Sequence, residues 1–134
     1  AFVLGTGTGG TFMGLQKGVE IENLDVKMIA VEPLESPVMS GGEKGPHGIQ
    51  GIADGKEFLA LDRDMDEIVK VKTADAIERS KLFAKETGIL IGISAGANIL
   101  ASERWLEENE TPGVVVTMLC DRGERYMSIY GEET

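Results

Sequence analysis

The chain has 134 residues and a formal net charge of −10, with 42% hydrophobic and 27% charged residues. That length suits a single domain, expected over residues 1–134, with a buried core of its own. The negative charge repels nucleic-acid phosphates. The single cysteine, Cys120, and single histidine, His47, exclude an intrachain disulfide and a Cys/His-rich metal cluster.

The elements alternate along the chain. Phe2–Leu4 is expected as a short buried strand, followed by a helix from about Gly10 to Glu22 with Phe12, Leu15 and Val19 on one face. Val26–Pro33 is an apolar run of the kind found in buried parallel strands. Residues 34–66 are loop-like, and Glu67–Lys72 alternates apolar and polar residues as a more exposed strand does. Thr73 is placed to N-cap a helix with Ala76, Ile77, Ser80, Phe83 and Ala84 on its inner face, and Gly88 to end it. Ile89–Ile93 is expected as a buried strand, Ala95 to about Glu107 as a helix with Ala97, Ile99 and Ala101 inward, and Val114–Cys120 as the last strand. Strands separated by helices imply right-handed βαβ units and a parallel sheet. No apolar run reaches the roughly 20 residues of a membrane span. No basic-then-apolar leader opens the chain. The expectation is therefore a cytoplasmic protein with no membrane partner.

Two motifs sit between a strand and a helix. Gly5-Thr6-Gly7-Thr8-Gly9-Gly10 satisfies the G-x-G-x-x-G dinucleotide pattern, with Glu32 near the spacing of a ribose-binding acid. Three threonines, Thr6, Thr8 and Thr11, favour instead a compact terminal phosphate. Its oxygens take charge-assisted hydrogen bonds of about 1.5–3 kcal/mol each. A turn that only packs a helix on a strand is the third reading. The second motif, Gly92-Ile93-Ser94-Ala95-Gly96, fits the G-x-S-x-G nucleophile elbow. A hydrolase of that type needs a histidine after the serine, and His47 precedes Ser94. Ser94 then either N-caps the following helix or faces the same crevice as the glycine loop, where its hydroxyl reaches a ring atom of a bound cofactor. A small phosphorylated heterocycle satisfies both motifs.

The segments GTGGT (Gly7–Thr11), VEPLESPVMSGG, GPHGIQGI (Gly45–Ile52), GISAGAN (Gly92–Asn98) and CDRGERYMS (Cys120–Ser128) run in register along nearly the whole chain. Together they resemble the cysteine synthase (O-acetylserine sulfhydrylase) family of pyridoxal-phosphate enzymes of the tryptophan-synthase β type. The resemblance implies a three-layer α/β fold: an open, mainly parallel sheet with helices on both faces. It implies pyridoxal 5'-phosphate as cofactor, with Gly7, Thr8, Gly9, Gly10 and Thr11 around its phosphate and Ser94 at its pyridine nitrogen. A neutral hydroxyl there leaves the ring nitrogen largely unprotonated, which suits β-elimination.

The implied reaction replaces the acetate of O-acetylserine, an amino-acid substrate, with sulfide. The resemblance also implies a homodimer and a role for the Gly45–Ile52 segment at the site mouth, where some members dock serine acetyltransferase. Lys44 and His47 are expected on an exposed loop there, and Cys120 as a buried structural thiol. The family's Schiff-base lysine and substrate-carboxylate loop belong to an N-terminal half. Lys17, Lys27, Lys44, Lys56 and Lys70 lie in no such motif. The expectation is thus a C-terminal cofactor-domain segment, inactive alone and without a catalytic residue of its own. The rival expectations are a non-catalytic ligand- or partner-binding module of the same fold and an NAD-binding domain.

Overall fold

A computed structural model describes residues 1–53, 65–109 and 113–131. Four strands, β1 (Phe2–Gly5), β2 (Met28–Pro33), β3 (Glu67–Val71) and β4 (Val116–Thr117), form one parallel sheet in the order β3-β2-β1-β4. Between them lie helices α1 (Gly10–Ile21), α2 (Thr73–Thr87) and α3 (Ile93–Glu108). A 3-10 turn, Gly123–Tyr126, leads into the short α4 (Met127–Tyr130).

The alternation of side chains along each strand divides the core into two layers. Val3, Ile29, Val31 and Val71 point to one face, where they meet Ala76 of α2 and Ile93, Ala97 and Ala101 of α3. Leu4, Met28 and Ala30 point to the other, where Phe12 of α1 fills the space with Leu15 and Val19 beside it. β2 is buried at every position, which explains its continuous apolar run. The α2 and α3 backbones approach closely at Gly96, because a Cβ there would collide with the Ser80 hydroxyl and the Ala76 carbonyl.

The expected α/β architecture is present, with local corrections. Ile89–Ile93 is not a sheet strand. Gly88 ends α2 in the left-handed conformation (φ 74°) and α3 starts at Ile93. The link between them makes one isolated antiparallel bridge, Ile91 to Arg122. Ile91 is buried, while Ile89 and Leu90 are exposed. Val114–Cys120 contributes only Val116–Thr117 to the sheet, because residues after Thr117 turn away toward the site. α3 begins two positions before the expected Ala95, and Ile99 is only half-buried.

Thr73 is the first helical residue, not the cap. The Glu35 carboxylate accepts its N–H (2.8 Å) and so satisfies one of the open donors at the start of α2. The freed Thr73 hydroxyl accepts the Gly48 N–H (3.0 Å), which ties the 45–53 loop to that helix.

Candidate cofactor site

The chain runs from β1 outward to β2 and β3, then returns to β4 on the other side of β1. Strand order therefore reverses between β1 and β4. In open α/β sheets a crevice forms at such a point, outside the carboxyl ends of the strands. A cavity of about 670 Å³ lies there, within the range of small-molecule sites. All six residues singled out from the sequence, Gly7, Thr8, Gly9, Gly10, Thr11 and Ser94, line it.

One wall is the β1–α1 turn. Gly9 occupies the N-cap of α1 with φ 85°, a left-handed conformation that an L side chain adopts at a cost. Gly9 has no side chain to cap α1, the Thr8 hydroxyl makes only a long bond with the Gly10 N–H (3.5 Å), and the first turn carries no acidic residue. The helix N-terminus thus offers backbone N–H groups and an unscreened positive dipole end to an anion. The Thr8 and Thr11 hydroxyls lie beside them. Gly7 is forced by proximity: a Cβ there would stand 2.7 Å from the Gly51 carbonyl oxygen. The segment Gln50–Ile52 covers this wall and also lines the cavity.

Thr6 and Gly5 do more than carry the strand into the turn. The Thr6 carbonyl accepts the Ala53 N–H (3.0 Å), and its hydroxyl donates to the Met39 sulfur (2.9 Å). The Gly5 N–H donates to Asn98 Oδ1 (2.7 Å).

The opposite wall comes from α3 and the chain after β4. Ser94 is buried in the first turn of α3, with Gly92 at the N-cap position. Serine therefore does not cap this helix, and its hydroxyl is available to the cavity side. Cys120, Asp121, Arg125 and Tyr126 stand on the same wall. Cys120 is exposed, against the expectation of a buried thiol, because the chain peels off the sheet before reaching it. Although the residue is exposed, partial desolvation of its sulfur against the wall pushes its pKa up, and a hydrogen bond from the Ser94 hydroxyl opposes that shift.

Tyr126 donates its phenolic proton to Asp121 Oδ2 (2.5 Å). Burial and this bond push its pKa up to about 12. Asp121 Oδ1 is buried without a hydrogen-bond partner among the described residues. It crowds Gly92 so closely that no Cβ fits there.

Asn98 joins the two walls. Fully buried one turn after Ser94, it accepts from Gly5 and donates to the Met118 carbonyl (2.9 Å) and the Cys120 sulfur (3.7 Å). Sequence reasoning passed over it. The only signal was an amide one helical turn after the serine, on a face otherwise made of alanines.

The dinucleotide reading loses its second anchor, since Glu32 does not line the cavity. Its carboxylate is fully buried and bonded to Met39 and Ser40. Of the loop residues expected to be exposed, Lys44 is, whereas His47 is half-buried, with Nε2 3.2 Å from the Ala53 carbonyl oxygen. The residues present fit a phosphorylated heterocycle: uncapped amides and hydroxyls at one end, a serine hydroxyl at the other. Among the described residues no lysine lines the cavity; Lys56 lies outside the described residues.

Comparison with known proteins agrees with this geometry. Residues 1–121 match the family described as pyridoxal-phosphate dependent enzyme. The cysteine synthase of Staphylococcus aureus is 45% identical over 129 residues, which is 96% of this chain and 42% of the relative. Cysteine synthase (OASS) from Entamoeba histolytica superposes with a TM-score of 0.86 at 38% identity, over 99% of this chain and 41% of that one. The O-acetylserine dependent cystathionine beta-synthase from Helicobacter pylori gives 0.83 at 34%, over 95% and 42%. The chain thus spans less than half the length of these relatives. Among the described residues no helix is long and apolar enough to cross a membrane. With a family match over most of its length and a cavity at the strand-order reversal, the chain belongs to the pyridoxal-phosphate-dependent enzymes.

Proposed function

We propose that this chain is the cofactor-domain segment of a cysteine synthase, acting on O-acetylserine and sulfide. The observation that carries the reading is that one cavity gathers the whole Gly7–Thr11 loop and Ser94, in a chain 45% identical to a cysteine synthase. The Gly7–Thr11 amides and the Thr8 and Thr11 hydroxyls hold the cofactor phosphate, with the α1 N-terminus supplying favourable potential. Ser94 holds the pyridine nitrogen through a neutral hydroxyl. When bound, pyridoxal phosphate supplies the electron sink that lets acetate leave the substrate's β-carbon and sulfide take its place. Asn98 and the Asp121–Tyr126 pair keep the Ser94 wall at a fixed distance from the loop. The lysine and the substrate-carboxylate contacts come from outside these residues, so the segment binds and orients but does not turn over substrate alone.

The same reading assigns the complete enzyme a homodimeric state and a cytoplasmic setting. It also assigns the 45–52 surface beside the cavity mouth to contact with serine acetyltransferase, as in some members of the family.

The test is to titrate the purified chain with pyridoxal 5'-phosphate and, separately, with NADH, following fluorescence, then to assay cysteine formation. The expected result is saturable, reversible binding of pyridoxal phosphate that Gly9→Ala abolishes, no NADH binding and no cysteine. Binding of NADH alone, or no binding of pyridoxal phosphate, refutes the assignment, whereas measurable turnover refutes the claim that the segment is inactive without the missing lysine.

A further inference from the structure

Glu32 is a fully buried carboxylate at the carboxyl end of β2. A buried charge is costly unless hydrogen bonds satisfy it. Both of its oxygens are engaged: Oε2 accepts the Met39 N–H (2.8 Å) and Oε1 accepts the Ser40 hydroxyl. These bonds fix the 39–40 turn. The Met39 sulfur then lies 2.9 Å from the Thr6 hydroxyl oxygen. Thr6 immediately precedes the phosphate loop and is itself almost fully buried (4% exposed).

We propose that Glu32 is a positioning residue for the phosphate loop, acting through Met39 and Thr6. This rests on the reading of Gly7–Thr11 as the phosphate cup. Methionine is a flexible side chain and its sulfur a weak acceptor. Such an acceptor fixes a hydroxyl only if its backbone is held, and Glu32 supplies that hold. Thr6 is then restrained on two sides, at its hydroxyl by Met39 and at its carbonyl by the Ala53 N–H. The next residue, Gly7, is set against the Gly51 carbonyl. A carboxylate in a solvent-facing turn would serve the turn alone. A buried one, bonded to the residue that contacts Thr6, links β2 to the cup.

The test is amide hydrogen exchange on the ligand-free chain, comparing the loop-reporting amides of Ala53 and Met13, which donate to the Thr6 and Gly9 carbonyls, with the interior amides of α2. Glu32→Gln and Met39→Leu are each expected to speed exchange in the loop about 5-fold, the effect of one lost hydrogen bond, while α2 keeps the wild-type rate. In a Thr6→Val background, Glu32→Gln is expected to add less than about 2-fold, because the two residues act in series. Unchanged loop exchange, acceleration shared equally by α2, or independent multiplication of the Glu32 and Thr6 effects refutes the relay. If Glu32→Gln does not fold, Met39→Leu decides alone, since it preserves bulk and removes only the acceptor. Titration with inorganic phosphate is run in parallel. If the exchange results hold and phosphate does not slow loop exchange, the cup reading fails while the relay stands.

Discussion

Replacing Asn98 with alanine tests whether the two walls of the site are held together by one side chain. The substitution strips the acceptor from the Gly5 N–H and the donor from the Met118 carbonyl, at a position with no solvent exposure. A buried backbone group left unpaired costs about 1–3 kcal/mol. The Gly5 amide alone therefore implies a loss of about 1–3 kcal/mol, against the roughly 5–15 kcal/mol typical of a whole domain; the Met118 carbonyl, in an exposed residue and also accepting from the Cys120 thiol, adds less. Asn98→Leu, which restores volume but no hydrogen bond, should lose nearly as much. Asn98→Asp keeps the acceptor for Gly5, loses the bond to Met118 and buries a charge, so it too destabilises. The assay is urea unfolding followed by Trp105 fluorescence and far-UV circular dichroism, with exchange of the Gly5 amide as a local reporter. Losses below about 1 kcal/mol in both the alanine and leucine variants, with Gly5 exchange unchanged, would refute the argument.

Three further outcomes are expected. Gly9→Ala forces a side chain into the φ 85° conformation and should cost about 1–2 kcal/mol, measured by thermal unfolding, with phosphate affinity lost as well. The folded Tyr126 pKa of about 12 exceeds the ordinary value of 10.0. The unfolded chain therefore releases this proton first as pH rises, and stability from Tyr126 is full below pH 10 and declines toward pH 12. Tyr126→Phe should remove that part of the decline, and an unchanged alkaline slope in unfolding scans would contradict the assignment. Arg79 of α2 grips Glu103 of α3 in a bidentate pair (2.7 and 2.9 Å) and also reaches Glu86 (3.3 Å). Arg79→Lys keeps the charge but loses the fork, so the expected loss is about 0.5–1 kcal/mol, smaller again at high salt.

The layering of the fold was legible because it depends on local patterns. The continuous apolar run of β2, the alternation in β3 and the stripe on α1 each reflect which faces are covered. Ile89–Ile93 misled for a physical reason: a run that short reads as a strand whenever it is apolar, yet it makes a single isolated bridge and its last residue, Ile93, already opens α3. The glycine loop and Ser94 stood out because they sit in short motifs at strand–helix junctions, and the structure brings both to one cavity. Asn98, Glu32 and Met39 were not, because their roles depend on partners brought near by the fold. Gly5 and Asn98 are 93 positions apart, and no spacing rule joins them. Glu32 drew attention for a ribose contact that the structure replaces with a backbone anchor.

The pairing of β1 with β4, which places Phe2 beside Val116, also bears on the order of assembly. The Gly7–Thr11 loop draws on β1, α1, β2 and the chain up to Ala53, all within the first 53 residues. The Ser94 wall joins it only after nearly the full length of the chain has been closed into a loop, a step whose entropic cost must be met before its contacts form. A refolding chain should therefore acquire protection at Met13, whose amide donates to the Gly9 carbonyl, before it acquires protection at Gly5, where the Asn98 bond depends on that closure. The cavity is built in two stages, a local half carrying the Gly7–Thr11 loop and a long-range half carrying Ser94.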